Sequence, residues 1–479
     1  MKLEGTWRNG KVSVVEGGRA NCLYVIDERS ARSVVRSTPV VPKPMFEDVS
    51  ALLKHQHHDD AFDDFARQPL LPNRLSQLGP GVAWFDVDGD GREDLIIGSG
   101  RGRSLAVYRN DGQGGFQELG KGDPLLLAAR DQTGLVGWHK PDGKRALLVG
   151  SSNFETGLST TPSMHTYEYQ GSWWKLGQEL PGQKWSCGPL ALGDVDGDGA
   201  LDLVVCGRSV AGRYPEPAGC VLYVQRHGKF EVDERNRKVL SEVGMVSGAV
   251  MGDVNGDGAA DLVLACEWGP VRVFLNEQGV LREATQELGL GSYPGWWNSV
   301  TLGDVDGDGR LDIVAGNWGQ NSKYEHAYNV VNPLKIYYGD FDGSGTVDIV
   351  EAHYDRKMAT LVPERGLSCS SRAMPFIREV TPTFLQFGSS GLEQIYGERL
   401  KGARVVEANT LASMVFMNRG KKFEARSMPV EAQMAPVFGV SVGDYDGDGV
   451  EDVFLGQNFF AVQIETPRND GGRAIVLKG

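Results

Sequence analysis

Six times along this 479-residue chain a short apolar run leads into an acidic loop of the form D-x-D-G-D-G-x-x-D, and a second apolar run follows each loop. The copies are DVDGDGRED (86–94), DVDGDGALD (194–202), DVNGDGAAD (253–261), DVDGDGRLD (304–312), DFDGSGTVD (340–348) and DYDGDGVED (444–452). The runs that follow, among them LIIG, LVVCG, IVAG and VFLG, are short, β-branched and closed by glycine, which is strand chemistry. Each loop therefore joins two strands of a hairpin. Hairpins of short strands repeated at intervals of tens of residues build radial sheet assemblies.

The loop composition points to a cation. Aspartates at positions 1, 3 and 5 aim their carboxylates into one small volume, and the carbonyl of position 7 and the aspartate of position 9 close the cage. Glycines at 4 and 6 permit the left-handed backbone that such a bend needs. All donors are oxygens, which favours Ca²⁺ over Zn²⁺ or Cu²⁺, and Mg²⁺ would demand a stricter octahedron. The predicted ligands are Asp86, Asp88, Asp90, Arg92 and Asp94; Asp194, Asp196, Asp198, Ala200 and Asp202; Asp253, Asn255, Asp257, Ala259 and Asp261; Asp304, Asp306, Asp308, Arg310 and Asp312; Asp340, Asp342, Ser344, Thr346 and Asp348; Asp444, Asp446, Asp448, Val450 and Asp452. The fourth member of each set acts through its backbone carbonyl. Asn255 and Ser344 bring less charge, so the third and fifth sites are expected to be the weaker ones. The ligand positions hold 22 carboxylates in all, and about six Ca²⁺ ions would take the formal charge from −14 to −2. An EF-hand shares the start of the motif but needs an acid at position 12 and flanking helices. Position 12 is Ile97, Val205, Leu264, Ala315 and Leu455 in five loops, and only Glu351 fits. Plain Asp-Gly turns without a metal need no such concentration of acids.

First aspartates are separated by 108, 59, 51, 36 and 104 residues. In the first long interval GLVGWHKPDGKRALLVG (134–150) keeps both runs and the Asp142-Gly143 turn without the acids, and reads as a decayed copy. The last interval carries helix-like stretches at Ser371 to Val380 and Gly391 to Leu400, and reads as an insertion of about 355–405. Six intact loops and a decayed copy predict an all-β, seven-bladed β-propeller with calcium-binding hairpin loops and one partly helical insertion.

The acidic balance excludes nucleic acid and anionic membrane as main partners, because both are bound through basic surface. Six cysteines have no metal-ligand spacing, and Cys206 and Cys266 sit in apolar runs as core residues. No apolar run is long enough to span a membrane, and the first residues lack the apolar stretch of a signal peptide. Outside the repeats the densest group of ligand types is His55, His57, His58, Asp59, Asp60, Asp63 and Asp64, which reads as a polar connecting segment or as a transition-metal site. Trp268 and Trp318 are expected in the core. In Trp173-Trp174 and Trp296-Trp297 neighbours on a strand point to opposite faces, so one of each pair is expected at the surface. No nucleophile elbow, phosphate loop or Ser/His/Asp arrangement is legible, so a non-catalytic role is expected.

These residues resemble the FG-GAP and VCBS repeats of integrin alpha chains and bacterial surface proteins. The name-giving element stands as Phe438-Gly439, and more loosely as Gly79-Pro80-Gly81, Cys187-Gly188-Pro189 and Ser247-Gly248-Ala249. The segments at 67–81, 295–300 and 317–345 are similar to the set that joins such propellers to an ASPIC/UnbV module, in the layout of the cartilage acidic protein group. Residues Trp7 to Lys11 with Ala20-Asn21 look like the tail of that module. The resemblance implies a partial ASPIC/UnbV-like β segment at 1–45, a polar linker at 46–75 and a propeller at 76–479. It implies a calcium-stabilised extracellular, cell-surface or periplasmic scaffold for adhesion to a protein or glycan, as part of a longer chain. The alternative is a secreted carbohydrate-active lyase or hydrolase on the same scaffold.

Overall fold

A computed structural model of the chain describes residues 2–9, 11–19, 22–33, 46–325 and 327–479. It divides into two units, Met1–Lys54 and His55–Gly479. In the first, Leu3–Thr6 and Val12–Val15 form an antiparallel hairpin, and a short helix covers Ser50–Leu53. Gly10, Ala20 and Asn21, which carry part of the ASPIC/UnbV resemblance, lie outside the described residues, as does His326.

The second unit contains seven antiparallel sheets of three or more strands. The first runs through Val82–Phe85, Asp94–Ile97, Ala106–Asn110 and Phe116–Leu119 in simple sequence order. The second (Gln132–His139 to Trp174–Leu180), third (Ser186–Gly193 to Lys229–Val232) and fourth (Met245–Gly252 to Val280–Glu283) repeat that order. The second is built on the decayed copy, where Lys140 N–H donates to Lys144 O at 2.8 Å to close the turn. The last sheet consists of Val437–Gly443, Asp452–Gln457 and Ile475–Leu477.

The fifth sheet departs from the expected arrangement. Its first two strands are Ser299–Gly303 and Asp312–Gly316, but its third and fourth are Met414–Asn418 and Phe423–Ser427. The intervening chain folds into a separate four-stranded sheet of Leu334–Gly339, Asp348–Asp355, Thr360–Pro363 and Arg404–Ala408, with four short helices from Leu367 to Tyr396. The insertion expected at 355–405 therefore begins earlier and contains the fifth acidic loop. Seven sheets are present, but the chain does not lay down seven equivalent units. Six follow one another and the seventh is nested inside the fifth.

Burial explains this order. The first strands of the six serial sheets lie side by side in succession. Between neighbouring sheets sit separate apolar cores: Phe85 and Ile96 against Leu147 and Val149, then Leu148 and Trp185 against Leu203 and Val205, and so on to Val314 and Met417 against Val453 and Leu455. Such strands are covered on both faces, which is why their sequences are continuous apolar runs rather than alternating ones. Near the chain's two ends an isolated bridge pairs Asn73 with Val462, and Arg74 N–H donates to Ala461 O at 2.8 Å.

A further apolar core gathers the nested sheet, its helices and Leu70, Leu71 and Leu75. The stretch anticipated as a linker is thus built into the larger unit from residue 55 onward. Asp64, fully buried, accepts from Leu75 N–H (2.7 Å), Ser76 N–H (2.9 Å) and Ser76 Oγ (2.6 Å). Asp63 caps the helix Asp64–Arg67. In the same core Trp296 stacks on Trp318 with centroids 4.0 Å apart and touches Trp268 at 5.0 Å. Trp174 is buried and Trp173 is exposed, as the strand alternation requires. Trp296 and Trp297 are both buried, against expectation. Their opposite faces are each covered, one by the aromatic core and the other by the core between the fourth and fifth sheets.

Trp296→Ala is expected to cost about 3–5 kcal/mol of stability, read as a lowered urea midpoint, whereas Trp173→Ala should change it by about 0.5 kcal/mol or less. Similar midpoints for the two variants would refute the assigned core.

Candidate metal loops and axial pocket

Each acidic loop connects the first two strands of its sheet, as the flanking runs imply. The glycines at positions 4 and 6 all have positive φ, between 69° and 88°. That backbone turns successive amides inward onto the first aspartate. Asp194 Oδ1 accepts from Gly197 N–H (2.8 Å) and Asp198 N–H (3.2 Å), and its Oδ2 from Gly199 N–H (2.9 Å). Asp86, Asp253 and Asp444 repeat all three bonds.

Position 9 has a second occupation that its sequence position does not reveal. In all six loops one oxygen of this aspartate accepts the N–H of position 2, at 2.8–3.2 Å. In five loops the other oxygen accepts an N–H at the third strand: Asn110, Gln225, Asn276, Asn418 or Gly479, at 2.6–3.2 Å. Asp94, Asp202, Asp261 and Asp312 are fully buried in this role. Burial pushes their carboxyls upward, to about 6 for Asp261, and it pushes Asp348 to about 6 as well. The backbone donors oppose this but do not cancel it.

The predicted ligands converge in at least four of the loops. One carboxylate oxygen from each of Asp86, Asp88 and Asp94 lies within 4.8 Å of the others, and the same holds for Asp194, Asp196 and Asp202, for Asp304, Asp306 and Asp308, and for Asp340, Asp342 and Asp348. Such a triad of oxygens fits a hard divalent cation.

Basic side chains from the third strand reach into these loops, a feature sequence reasoning missed. Arg109 Nε lies 2.7 Å from Asp88, and its Nη2 lies 3.2 Å from Asp90. Arg226 pairs with Asp196 and Asp198, Arg419 with Asp306 and Asp308, and Lys478 with Asp446 and Asp448. Arg145, from the decayed hairpin, approaches Asp86 at 3.4 Å. Among the described residues, no such ion pair reaches the third or fifth loop. Those are the two loops with three carboxylates instead of four. The arms stand at no fixed distance from the motif, and the nested sheet separates Arg419 from its loop by more than a hundred residues, so no local signal announces them.

A pocket of about 580 Å³ opens at the other ends of the first strands. Pro80, Thr133, Cys187, Ser247, Asn298 and Phe438 line it, each in or just ahead of the first strand of one of the six serial sheets. Four of these positions belong to the FG-GAP-like tripeptides or dipeptide noted in the sequence. The nested sheet contributes none. Asn298 is buried, and both polar atoms of its amide lack a partner. Arg208 also faces the pocket and is held by a buried ion pair with Glu267.

Residues 253–315, which contain the third and fourth loops, match the family model of the FG-GAP-like repeat. That stretch of the chain is an FG-GAP-like repeat. Cartilage acidic protein 1 of Mus musculus is 23% identical over 283 residues, which are 52% of this chain and 42% of that protein, so the match spans less than half the length of this relative. One similar solved structure, at 14% identity and a TM-score of 0.39, covers 83% of this chain and 79% of its own. It is an Agrocybe aegerita lectin described for specific recognition of non-reducing terminal N-acetylglucosamine. Another, a triple arginine-to-alanine mutant of AofleA from Arthrobotrys oligospora, is 13% identical with a TM-score of 0.32, and covers 58% of this chain and 69% of its own. At those scores neither bears on fold or ligand here. Among the described residues no helix is long and apolar enough to cross a membrane.

Because a ligand carboxylate must be ionised to hold a cation, Ca²⁺ affinity at the third and fifth loops should fall as pH drops through the raised values at Asp261 and Asp348. From about pH 7 to about pH 5 the loss should be on the order of tenfold at each. Calcium titration calorimetry at the two pH values checks this, and a pH-independent affinity would contradict it.

Proposed function

We propose that this chain is a non-catalytic, calcium-stabilised FG-GAP scaffold that works outside the cytosol, its ions rigidifying one rim of a β-propeller and its opposite face receiving a protein or glycan partner. The observation that carries the reading is the convergence of three carboxylates in each of four hairpin bends. Carboxylates so close repel one another unless a cation lies among them. The serial packing of six sheets, and the residues in or beside each of them that line one pocket, support a six-unit ring with the nested sheet as an accessory body on it. Resting cytosol would leave weak oxygen sites empty, whereas extracellular calcium would fill them.

The partner site proposed is the axial pocket. It offers a desolvated amide at Asn298, hydroxyls at Ser186, Ser209 and Ser247, and aromatic faces at Phe438 and Phe459. With the Arg208 charge countered by Glu267, this mixture of amide, hydroxyl and aromatic groups suits a sugar or an extended peptide better than a charged metabolite.

Excess chelator should lower the melting temperature by several degrees, because each loop held at a hundredfold excess of Ca²⁺ over Kd contributes about 2.7 kcal/mol. A melting temperature indifferent to chelator would sink the calcium reading. Glycan and peptide arrays probed with wild type and Asn298→Leu test the pocket. Ligands should be retained by the wild type and lost by the variant, and binding that survives the substitution would place the partner elsewhere.

A further inference from the structure

The second sheet has lost its acidic loop, yet three carboxylates meet near its opposite end. Asp59 comes from the stretch ahead of the helix Asp64–Arg67, Asp131 stands immediately before strand Gln132–His139, and Glu155 follows strand Arg145–Ser151. One oxygen from each lies within 4.8 Å of the other two. Proximity alone would be unremarkable on an acidic protein. Here, however, the Glu155 side chain is only 9% exposed, and its Oε1 has no hydrogen-bond partner. Asp59 Oδ1 is likewise buried and unpartnered. A buried carboxylate oxygen without a donor costs several kcal/mol unless something positive satisfies it.

The surroundings do not supply that charge in full. Arg101 is the nearest cation. Its backbone N–H donates to Asp131 Oδ1 at 3.0 Å, while its guanidinium engages Asp60 at 3.2 Å and stands 3.8 Å from Glu155 Oε2. One guanidinium is thus shared between the Asp60 and Glu155 carboxylates. Burial and the neighbouring Asp131 and Asp60 push the Asp59 carboxyl up to about 6, and burial raises Asp131 and Glu155 as well. His55 Nδ1 is 3.0 Å from the Tyr108 hydroxyl and His58 Nε2 is 3.3 Å from Asp60. His57 is close enough to interact with Asp131, but burial and the neighbouring His55 lower its pKa, and the atoms that converge are all carboxylate oxygens. The donor set is therefore oxygen only, which selects a hard cation over the transition metal that the histidine-rich sequence brings to mind.

We propose that Asp59, Asp131 and Glu155 form a separate calcium site, outside the repeat loops. A cation there satisfies both orphaned oxygens and joins three segments that are distant in sequence. It fixes the stretch after His55 onto the loops of the first and second sheets, on the end away from the repeat turns. The second sheet, alone among the six serial sheets in having lost the acidic loop, would then be held by an ion at its other end.

Bound calcium is counted by elemental analysis after dialysis of the full chain, comparing wild type with Glu155→Gln and Asp131→Asn. Each variant should hold one ion fewer than wild type with an unchanged far-ultraviolet circular dichroism spectrum. Crystals of the wild type soaked in Mn²⁺ should give an anomalous peak among the three carboxylates. Equal calcium counts in folded variants overturn the proposal, and so does a wild-type map with no peak at this position, whatever the repeat loops hold. If neither variant folds, the wild-type map alone decides.

Discussion

The aspartate at position 9 is the contact on which each repeat depends. One of its oxygens closes the acidic loop through the N–H of position 2, and in five loops the other ties that loop to the third strand. Three segments of chain are thereby pinned at one buried carboxylate. A buried carboxylate is costly by itself, and two backbone donors make it tolerable. This residue fixes the loop whether or not a cation is bound, while Asp88, Asp196 and Asp306, nearer the surface, are the ones that gain from a cation. Position 9 would therefore couple a cation held by the loop to the sheet, because the same carboxylate bonds both the loop and the third strand.

The basic arms sharpen that division. Loops with four carboxylates each receive an arginine or lysine from the third-strand side, and the two loops with three carboxylates do not. An arm across positions 3 and 5 lowers the repulsion that a cation would otherwise relieve, so it competes for the same oxygens and at the same time prevents the loop from springing open. Asn255 and Ser344 reach a similar end by removing one charge at the source. The weaker sites expected from ligand charge alone are thus the ones free of an internal competitor, and the two effects on affinity oppose each other. A ranking of the loops by carboxylate number is for this reason incomplete.

The local chemistry was legible in the sequence because it is carried by neighbours in the chain. The D-x-D-G-D-G spacing, the positive-φ glycines and the β-branched flanks define each hairpin within about a dozen residues, and the decayed copy at 134–150 was recognisable from its flanks alone. What required the structure was long-range. Arg419 reaches its loop only after the nested sheet has been threaded between two strands, and Glu155 meets Asp59 across a gap of nearly a hundred residues. Trp296 and Trp297 are both buried because alternation along a strand sets only the direction each side chain faces, and here both faces are covered. In the histidine-rich stretch it is the carboxylate of Asp59, not an imidazole, that converges with Asp131 and Glu155.

The nested sheet shows where this architecture tolerates insertion. It enters between the second and third strands of the fifth sheet, and Met414–Asn418 still returns to pair with Asp312–Gly316 and to donate from Asn418 to Asp312. The position 9 contact survives an intervening segment of nearly a hundred residues because loop-closure entropy grows only slowly with length. In the nested sheet itself, Asp348 keeps the bond to Phe341 N–H at 2.8 Å, but none of the hydrogen bonds among the described residues joins its other oxygen to a third strand. Its fourth strand, Arg404–Ala408, pairs with the first instead, and helices occupy the intervening chain. The same loop sequence therefore serves two contexts: within the serial sheets it bolts three strands together, and in the nested one it only turns a hairpin. Ligand spacing specifies the bend, while the return of a third strand specifies the unit.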